Sequence, residues 1–232
     1  MEVIILAGGF GTRLNSVISN LPKPMAPINN IPFLTYLFKW LEGNSIKKVI
    51  LSVGYLKNNI IDYYNNKYND IEIIYSIEDS PLGTGGALKK AMNLLENKFF
   101  YLINGDTFFE INLLNLYHFH IENNFTISIC LKFMKEPDRY STVDIDTNNN
   151  IINFVKDKHK SNSYINGGVY LLNKEITTLF PDKSFFSFEN DFLSINTKML
   201  NIGGYVSENY FIDIGIPEDY RRSIYELKNL RQ

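Results

Sequence analysis

Four short apolar runs in the first half of the chain, Val3 to Leu6, KKVILSVG, IEIIYSI and KFFYLING, each stop at a glycine or a polar turn. Between them lie FLTYLFKWLEG, NNIIDYYNNKY and GGALKKAMNLLEN, in which apolar residues recur at three and four, as on one helical face. Strands that alternate with helices are joined by crossovers and run parallel, so the spacing predicts a doubly wound α/β fold with a mainly parallel sheet. Ligands in such sheets lie beyond the carboxyl ends of the strands. The glycine loop after Leu6, the stretch Asp79 to Gly86, and Asn104 to Asp106 all follow predicted strands directly. They are expected to converge on one crevice.

After about Thr126 the strand candidates shorten to TISICLKF, STVDID, NIINFV and INGGVYLLN, with fewer helices between them. This predicts a smaller β-rich subregion. A last strand, ENYFIDIG, precedes a helix opened by Pro217, with acids in its first turn and basic residues following. No linker separates independent domains, so the 232 residues are read as one domain, with halves at about 1–125 and 126–232.

A formal net charge of -2 gives no bulk attraction to nucleic acid or to an anionic membrane, so neither is an expected partner. Any polyanion must meet a local cluster of cations. No apolar run approaches the roughly 20 residues of a membrane span. Cys130 is the one cysteine, which excludes an internal disulfide and suits a reducing cytoplasm; in TISICLKF it reads as a small buried hydrophobe. His118 and His120 are two apart, off a common helical face, and are read as incidental rather than as metal ligands.

The stretch LAGGFGTRLNSVISNLPKPM, Leu6 to Met25, places glycines at 8, 9 and 11, which leave backbone N–H groups uncovered for a phosphate or a base. It lacks the GK[ST] ending of a Walker loop, and Leu14 stands where a dinucleotide fingerprint needs its third glycine. Arg13 offers a planar fork of donors, and Lys23 sits between Pro22 and Pro24 on a segment held extended. Two cations flanking a bare glycine loop after the first strand form a triphosphate-binding arrangement.

LAGGFGTRL, then PKPMAPI, SPLGTGGALKKA, NGDT, INGGVY and YFIDIG, in that order along nearly the entire chain, resemble the sugar-1-phosphate nucleotidyltransferases. Through PMAPI, EDSPLGTGG, DRYSTV and FIDIGIPEDY the sequence is most similar to that family's heptose 1-phosphate guanylyltransferases. The resemblance implies a Rossmann-like fold of the nucleotide-diphospho-sugar transferase type with a sugar-binding second half. It also implies the joining of a sugar 1-phosphate to a nucleoside triphosphate with release of pyrophosphate. An already ionised phosphate oxygen attacks the α-phosphorus in line, so fixed positive charge and positioning supply the rate and no general base is needed.

On this resemblance Leu6, Ala7, Gly8, Gly9, Gly11 and Thr12 belong to the nucleotide site, with Asn104 at the next strand end. Arg13 grips the β- and γ-phosphates and Lys23 neutralises the α-phosphate. Asp106 and Asp213 hold magnesium, the implied cofactor. Glu78 matches the position facing the base, and a carboxylate, which only accepts hydrogen bonds, suits the adjacent N1–H and N2–H2 donors of guanine and hence GTP. The competing reading is a rim glutamate paired to a lysine. Gly83 and the glycines after it would let the base edge lie against the chain, and Thr84 would cap the following helix. Asn166, Gly168 and Glu189 are the implied sugar-phosphate residues. Where relatives carry a Glu-Lys pair for that phosphate this chain has FVKDKHK, which leaves Lys156 and Lys158 both open. A uridylyl- or cytidylyltransferase, or a non-catalytic nucleotide sensor, stays as an alternative, and the oligomeric state, including a homo-oligomer, is open.

Overall fold

The computed structural model describes residues 1–9, 11, 14, 17–18, 20–155 and 161–228. Thr12, Arg13, Lys156 and Lys158 therefore lie outside the described residues.

The chain opens with β1 (Glu2–Leu6), buried on both faces as a strand between parallel neighbours must be. A hairpin of β2 (Pro27–Ile28) and β3 (Ile31–Pro32) turns at Asn29 and Asn30, both with positive φ, the pair of left-handed residues that a tight two-residue loop demands. It leads into α1 (Phe33–Gly43), most of whose residues are buried. Next come β4 (Lys48–Val53), α2 (Lys57–Tyr64), β5 (Lys67–Tyr68) and β6 (Ile71–Ile77). NNIIDYYNNKY is thus not one helix. Asn65 turns to positive φ, ending the helix, and Lys67 and Tyr68 pair antiparallel with β6.

α3 (Gly83–Ala91) is shorter than its apolar pattern and passes into a 3-10 turn at Met92–Leu94. β7 (Phe99–Asn104), β8 (Thr107–Phe109) and α4 (Leu113–Glu122) follow, the last capped where Asn112 accepts from the Asn115 N–H at 3.0 Å. The second half contributes β9 (Ile127–Met134), β10 (Thr142–Ile145), β11 (Ile151–Val155) and β12 (Ser163–Asn173). A π turn at Glu189–Leu193 runs into α5 (Ser194–Asn196), and β13 (Ile202–Val206), β14 (Phe211–Asp213) and α6 (Pro217–Glu226) complete the chain. Leu200 to Val206, NIGGY at its centre, is not among the predicted strands, because two adjacent glycines interrupt the apolar run. It pairs parallel with β9 all the same.

Ten strands of the described residues form one sheet whose parallel centre has the order β6-β4-β1-β7. β12 joins antiparallel to β7 and carries β9 and β10, so the second half continues the same sheet. Val3 and Ile5 point into a core shared with Leu37, Phe38 and Leu116, and Ile4 points into the opposite core with Leu88 and Phe192. The mixed sheet, parallel at its centre and with helices on both faces, is the fold class expected from the alternation of runs. No helix of the described residues is long and apolar enough to cross a membrane.

Candidate active site

From β1 the chain builds outward through β4 and β6, then crosses back to enter β7 on the other side of β1. The connections after β1 and β7 leave in opposite directions, and this divergence opens a crevice at their carboxyl ends. Leu6 and Asn104, register partners, stand at its floor. A cavity of about 630 Å³ occupies the position, lined by Leu6, Ala7, Gly8, Gly9 and Gly11 from the first loop. Lys23, Glu78, Gly83, Thr84, Asn104, Asp106, Asn166, Glu189 and Asp213 face the same space. Segments from both halves of the chain thus meet in one crevice.

Gly8 is glycine for a steric reason. A Cβ there would sit 2.3 Å from Glu78 Oε1, so the carboxylate can lie over the loop only while residue 8 has no side chain. Glu78 follows β6, donates its N–H to the Val53 carbonyl at 2.7 Å, and accepts from Ser52 Oγ at 3.1 Å. Burial raises its carboxyl, while Ser52, the Leu82 N–H and the Lys90 charge act the other way.

Lys23 opens a 3-10 turn, Lys23–Met25, after Pro22 in extended conformation, and Pro24 and Met25 are buried beneath it. Its Nζ reaches Asp106 Oδ2 at 2.9 Å. Asp106 precedes β8 and Asp213 ends β14, two strands that pair antiparallel with Asp213 opposite Thr107. The Ile214 N–H donates to the Asp106 carbonyl at 3.0 Å. That ribbon brings together aspartates from distant parts of the sequence. Burial pushes the Asp213 carboxyl up to about 6 and the neighbouring Asp106 charge adds to it, against the opposing pull of Arg139, the Gly215 N–H and Lys23.

At the other end of the cavity the lining is a chain of side-chain hydrogen bonds. Asn166 Nδ2 donates to the Tyr170 hydroxyl at 2.8 Å, and that hydroxyl donates to Glu189 Oε1 at 3.3 Å. Thr84 Oγ1 donates to Glu189 Oε2 at 2.8 Å and Ser187 Oγ donates to the same oxygen at 3.2 Å. The turn that carries Glu189 is pinned by aromatic rings, Phe188 stacked on Phe192 at 5.7 Å and Phe180 edge-on to Phe192 at 4.8 Å.

Three expectations change. Thr84 does not cap α3: it lies inside the helix, and its hydroxyl also accepts the Phe188 N–H at 2.8 Å, so it ties that helix to the Glu189 turn. The glycines after Gly83 do not lie open for a base edge. A Cβ on Gly85 would come 2.2 Å from the Phe186 ring, so their smallness admits the segment carrying Glu189. Gly168 is buried and is not among the cavity-lining residues; its N–H donates to Asn166 Oδ1 at 3.0 Å, and it orients that side chain instead.

His118 is exposed and His120 buried, on opposite sides of α4. Cys130 is buried in β9. Among the described residues no group of three or more His, Cys, Asp or Glu side chains could hold a metal by itself. Two functional candidates carry no role from the sequence, Tyr170 and Arg139. Tyr170 stands within INGGVY, where a tyrosine on a strand looks like packing. Arg139 stands within DRYSTV, and its partners Asp213 and Asp219 lie far along the chain.

The profile of the family described as Nucleotidyl transferase matches residues 2–229. The D-glycero-alpha-D-manno-heptose 1-phosphate guanylyltransferase of Aneurinibacillus thermoaerophilus is 47% identical over 229 residues, covering 99% of this chain and 99% of that protein. The Campylobacter jejuni protein of the same name is 46% identical over 220 residues, covering 95% and 97%. Among solved structures, HddC from Yersinia pseudotuberculosis superposes with a TM-score of 0.88 at 38% identity, covering 97% of this chain and 99% of that one. The same protein complexed with GMP-PN gives a TM-score of 0.86 at 37% identity over the same shares.

Proposed function

Because this chain belongs to the nucleotidyl transferase family, we propose that it transfers a guanylyl group from GTP to a heptose 1-phosphate, releasing pyrophosphate and forming a GDP-heptose. The observation that carries the reading is the meeting of Gly8, Lys23, Asp106 and Asp213 around one cavity. A triphosphate laid along the glycine loop has its α-phosphate within the same space as the ammonium and both carboxylates. The names of the relatives, heptose 1-phosphate guanylyltransferases along their whole length, support the substrate pair.

The attacking group is a phosphate oxygen, ionised at neutral pH, so the site needs no base to activate it. What opposes reaction is the approach of two polyanions and the charge that moves onto pyrophosphate. Lys23 leaves Asp106 to neutralise the α-phosphate, and Arg13, outside the described residues, is assigned to the β- and γ-phosphates. Asp106 and Asp213 fit a hard divalent cation of the magnesium kind. They are two carboxylates held side by side by paired strands, and the Asp106 charge adds to the cost of charge on the buried Asp213. Two protein oxygens are an incomplete set by themselves, as expected where substrate phosphates supply the rest. When bound, such a cation offsets charge on the phosphates in flight.

Glu78 reads the base. A half-buried carboxylate whose burial disfavours its charge gains most from a partner with two adjacent donors, which the guanine edge offers and uracil does not. Asn166 and Glu189 take sugar hydroxyls at the other end, oriented by Tyr170 and Thr84. No catalytic step falls to His118, His120 or Cys130. The chain is assigned to a cytoplasmic pathway for surface glycans on the same footing.

A crossed panel of four nucleoside triphosphates against hexose and heptose 1-phosphates, with magnesium present and pyrophosphate release as the readout, tests this. Release is expected with GTP and heptose 1-phosphate. Activity with UTP and none with GTP overturns the base assignment. Bound GTP without release for any sugar phosphate overturns the enzyme reading in favour of a sensor.

A further inference from the structure

A second cavity, of about 340 Å³, adjoins the first and shares Tyr140, Asn166, Glu189 and Asp213 with it. Among the described residues that line it, Arg139 is the one cation. This guanidinium is held on one side and open on the other. Nη2 pairs with Asp219 in the first turn of α6, bonds the Tyr140 hydroxyl, and donates to the Asp213 carbonyl at 3.3 Å. The guanidinium carbon lies 4.4 Å from the Tyr140 ring centroid, which adds a face-on contact. Nη1 faces Asp213 Oδ2 at 3.6 Å, beyond hydrogen-bond length. Asp219 also pairs with Arg222 at 3.0 Å, and Arg222 pairs in turn with Glu226 at 3.3 Å, so Asp219 and Asp213 are the carboxylates beside Arg139, and only Asp219 holds it closely.

The reaction proposed above brings a sugar phosphate, a dianion, to within bonding distance of the α-phosphate. Lys23 belongs to the nucleotide end, so the incoming phosphate needs a cation of its own on the sugar side. Resting on that reading of the site, we propose that Arg139 receives the phosphate of the sugar 1-phosphate through Nη1, while Nη2 and the Tyr140 ring hold the guanidinium in place. The ligand-free arrangement then has a simple logic. Each aspartate of the ribbon faces a cation that serves a substrate phosphate, Lys23 beside Asp106 and Arg139 beside Asp213.

The test compares Arg139→Met and Arg139→Lys with wild type, using whichever sugar 1-phosphate the wild-type protein turns over in the crossed panel, and inorganic phosphate as a competing inhibitor. In Arg139→Met the KM for the sugar phosphate is expected to rise, and inhibition by inorganic phosphate to weaken, each by at least about tenfold, with the KM for GTP within about twofold. Arg139→Lys, which keeps the charge without the fork, is expected to recover part of the loss. If Arg139→Met melts early, Arg139→Gln carries the same readouts. A sugar-phosphate KM unchanged in these variants, or a GTP KM that rises in step with it, overturns the proposal. Should the wild type use a sugar other than a heptose, the substrate proposed above falls and the Arg139 comparison proceeds unchanged with that sugar. No use of any sugar 1-phosphate removes both.

Discussion

At the Leu6–Gly9 end of the crevice the lining is mostly main chain, set by strand ends that the sheet holds rigid. At the Asn166–Glu189 end it is a relay of side chains, Asn166 to Tyr170 to Glu189 with Thr84 closing on the far oxygen. The first surface has almost no rotamers to lose on binding and presents N–H groups to any phosphate of suitable spacing. The second is specific in a different way, because each member fixes the donor and acceptor directions of the next. A scaffold made of backbone suits the part common to all nucleoside triphosphates, and a scaffold made of side chains suits the part that must tell one sugar from another. Asp106 and Asp213 stand where the two meet.

The strongest way to break that division is at the junction. Asp106→Asn keeps the shape of the side chain and removes the charge that faces the phosphates, so turnover is expected to fall by about 10³-fold while GTP affinity changes by less than about threefold. Rapid-quench turnover beside calorimetric GTP binding checks it. Equal losses in both would move Asp106 from the junction into the nucleotide end. Next in size is an acid effect confined to the platform under the sugar end. His120 is buried behind β9, where its Nδ1 meets Ser128 Oγ at 2.8 Å, and burial lowers its pKa from 6.5 to about 4. The unfolded chain therefore takes up the proton first. The stability linked to this ring is present above pH 6.5 and is lost as pH falls towards 4, a loss approaching about 3 kcal/mol. Denaturant melts across that range should steepen in wild type relative to the double variant His120→Phe, Ser128→Ala, which removes both partners; parallel curves would sink the assignment.

What could be read from the chain follows the same division. The strands of the parallel centre and the helix Phe33–Gly43 announce themselves because each is a contiguous run with its own period, and the crevice follows from their order. Glu78, Asp106 and Asp213 are legible because motifs that resemble the family's carry them, and each also comes at a strand end. Gly85 misleads, since glycine reads the same whether it admits a ligand or, as here, the Phe186 ring. Arg139 and Tyr170 stand within matched motifs, but nothing local gives either a role of its own. An arginine in a turn and a tyrosine on a strand acquire meaning only when Asp219 and Glu189 arrive beside them from far along the chain. The strand Ile202–Val206 fails to show because its glycines suppress the apolar pattern, although its backbone pairs as well as its neighbour's.

Glu78 offers a sharper cut at the nucleotide end, the one place there where a side chain reads. Glu78→Gln keeps the volume over Gly8 and turns one acceptor into a donor that meets the guanine edge donor to donor. The ratio of kcat/KM for GTP over UTP is expected to fall by roughly thirtyfold, mostly through GTP. A ratio that stays put would hand base selection to the backbone near Gly83 and make the nucleotide end main chain throughout.

The smallest effect is the most discriminating for the relay. Tyr170→Phe deletes a single hydroxyl that accepts from Asn166 and donates to Glu189, and leaves the ring packed on Phe188 with centroids 5.6 Å apart. The cavity adjoins these groups, so water can take up part of the lost bonding, and the expected rise in KM for the sugar phosphate is only about fivefold. The KM for GTP should not move, because the partners of that hydroxyl among the described residues are Asn166 and Glu189 and not the glycine loop. The backbone-built end and the side-chain-built end are then separable by one oxygen atom. If the GTP KM rises with the other, the link runs through Thr84, whose hydroxyl joins α3 to Glu189, and the two ends answer as one site.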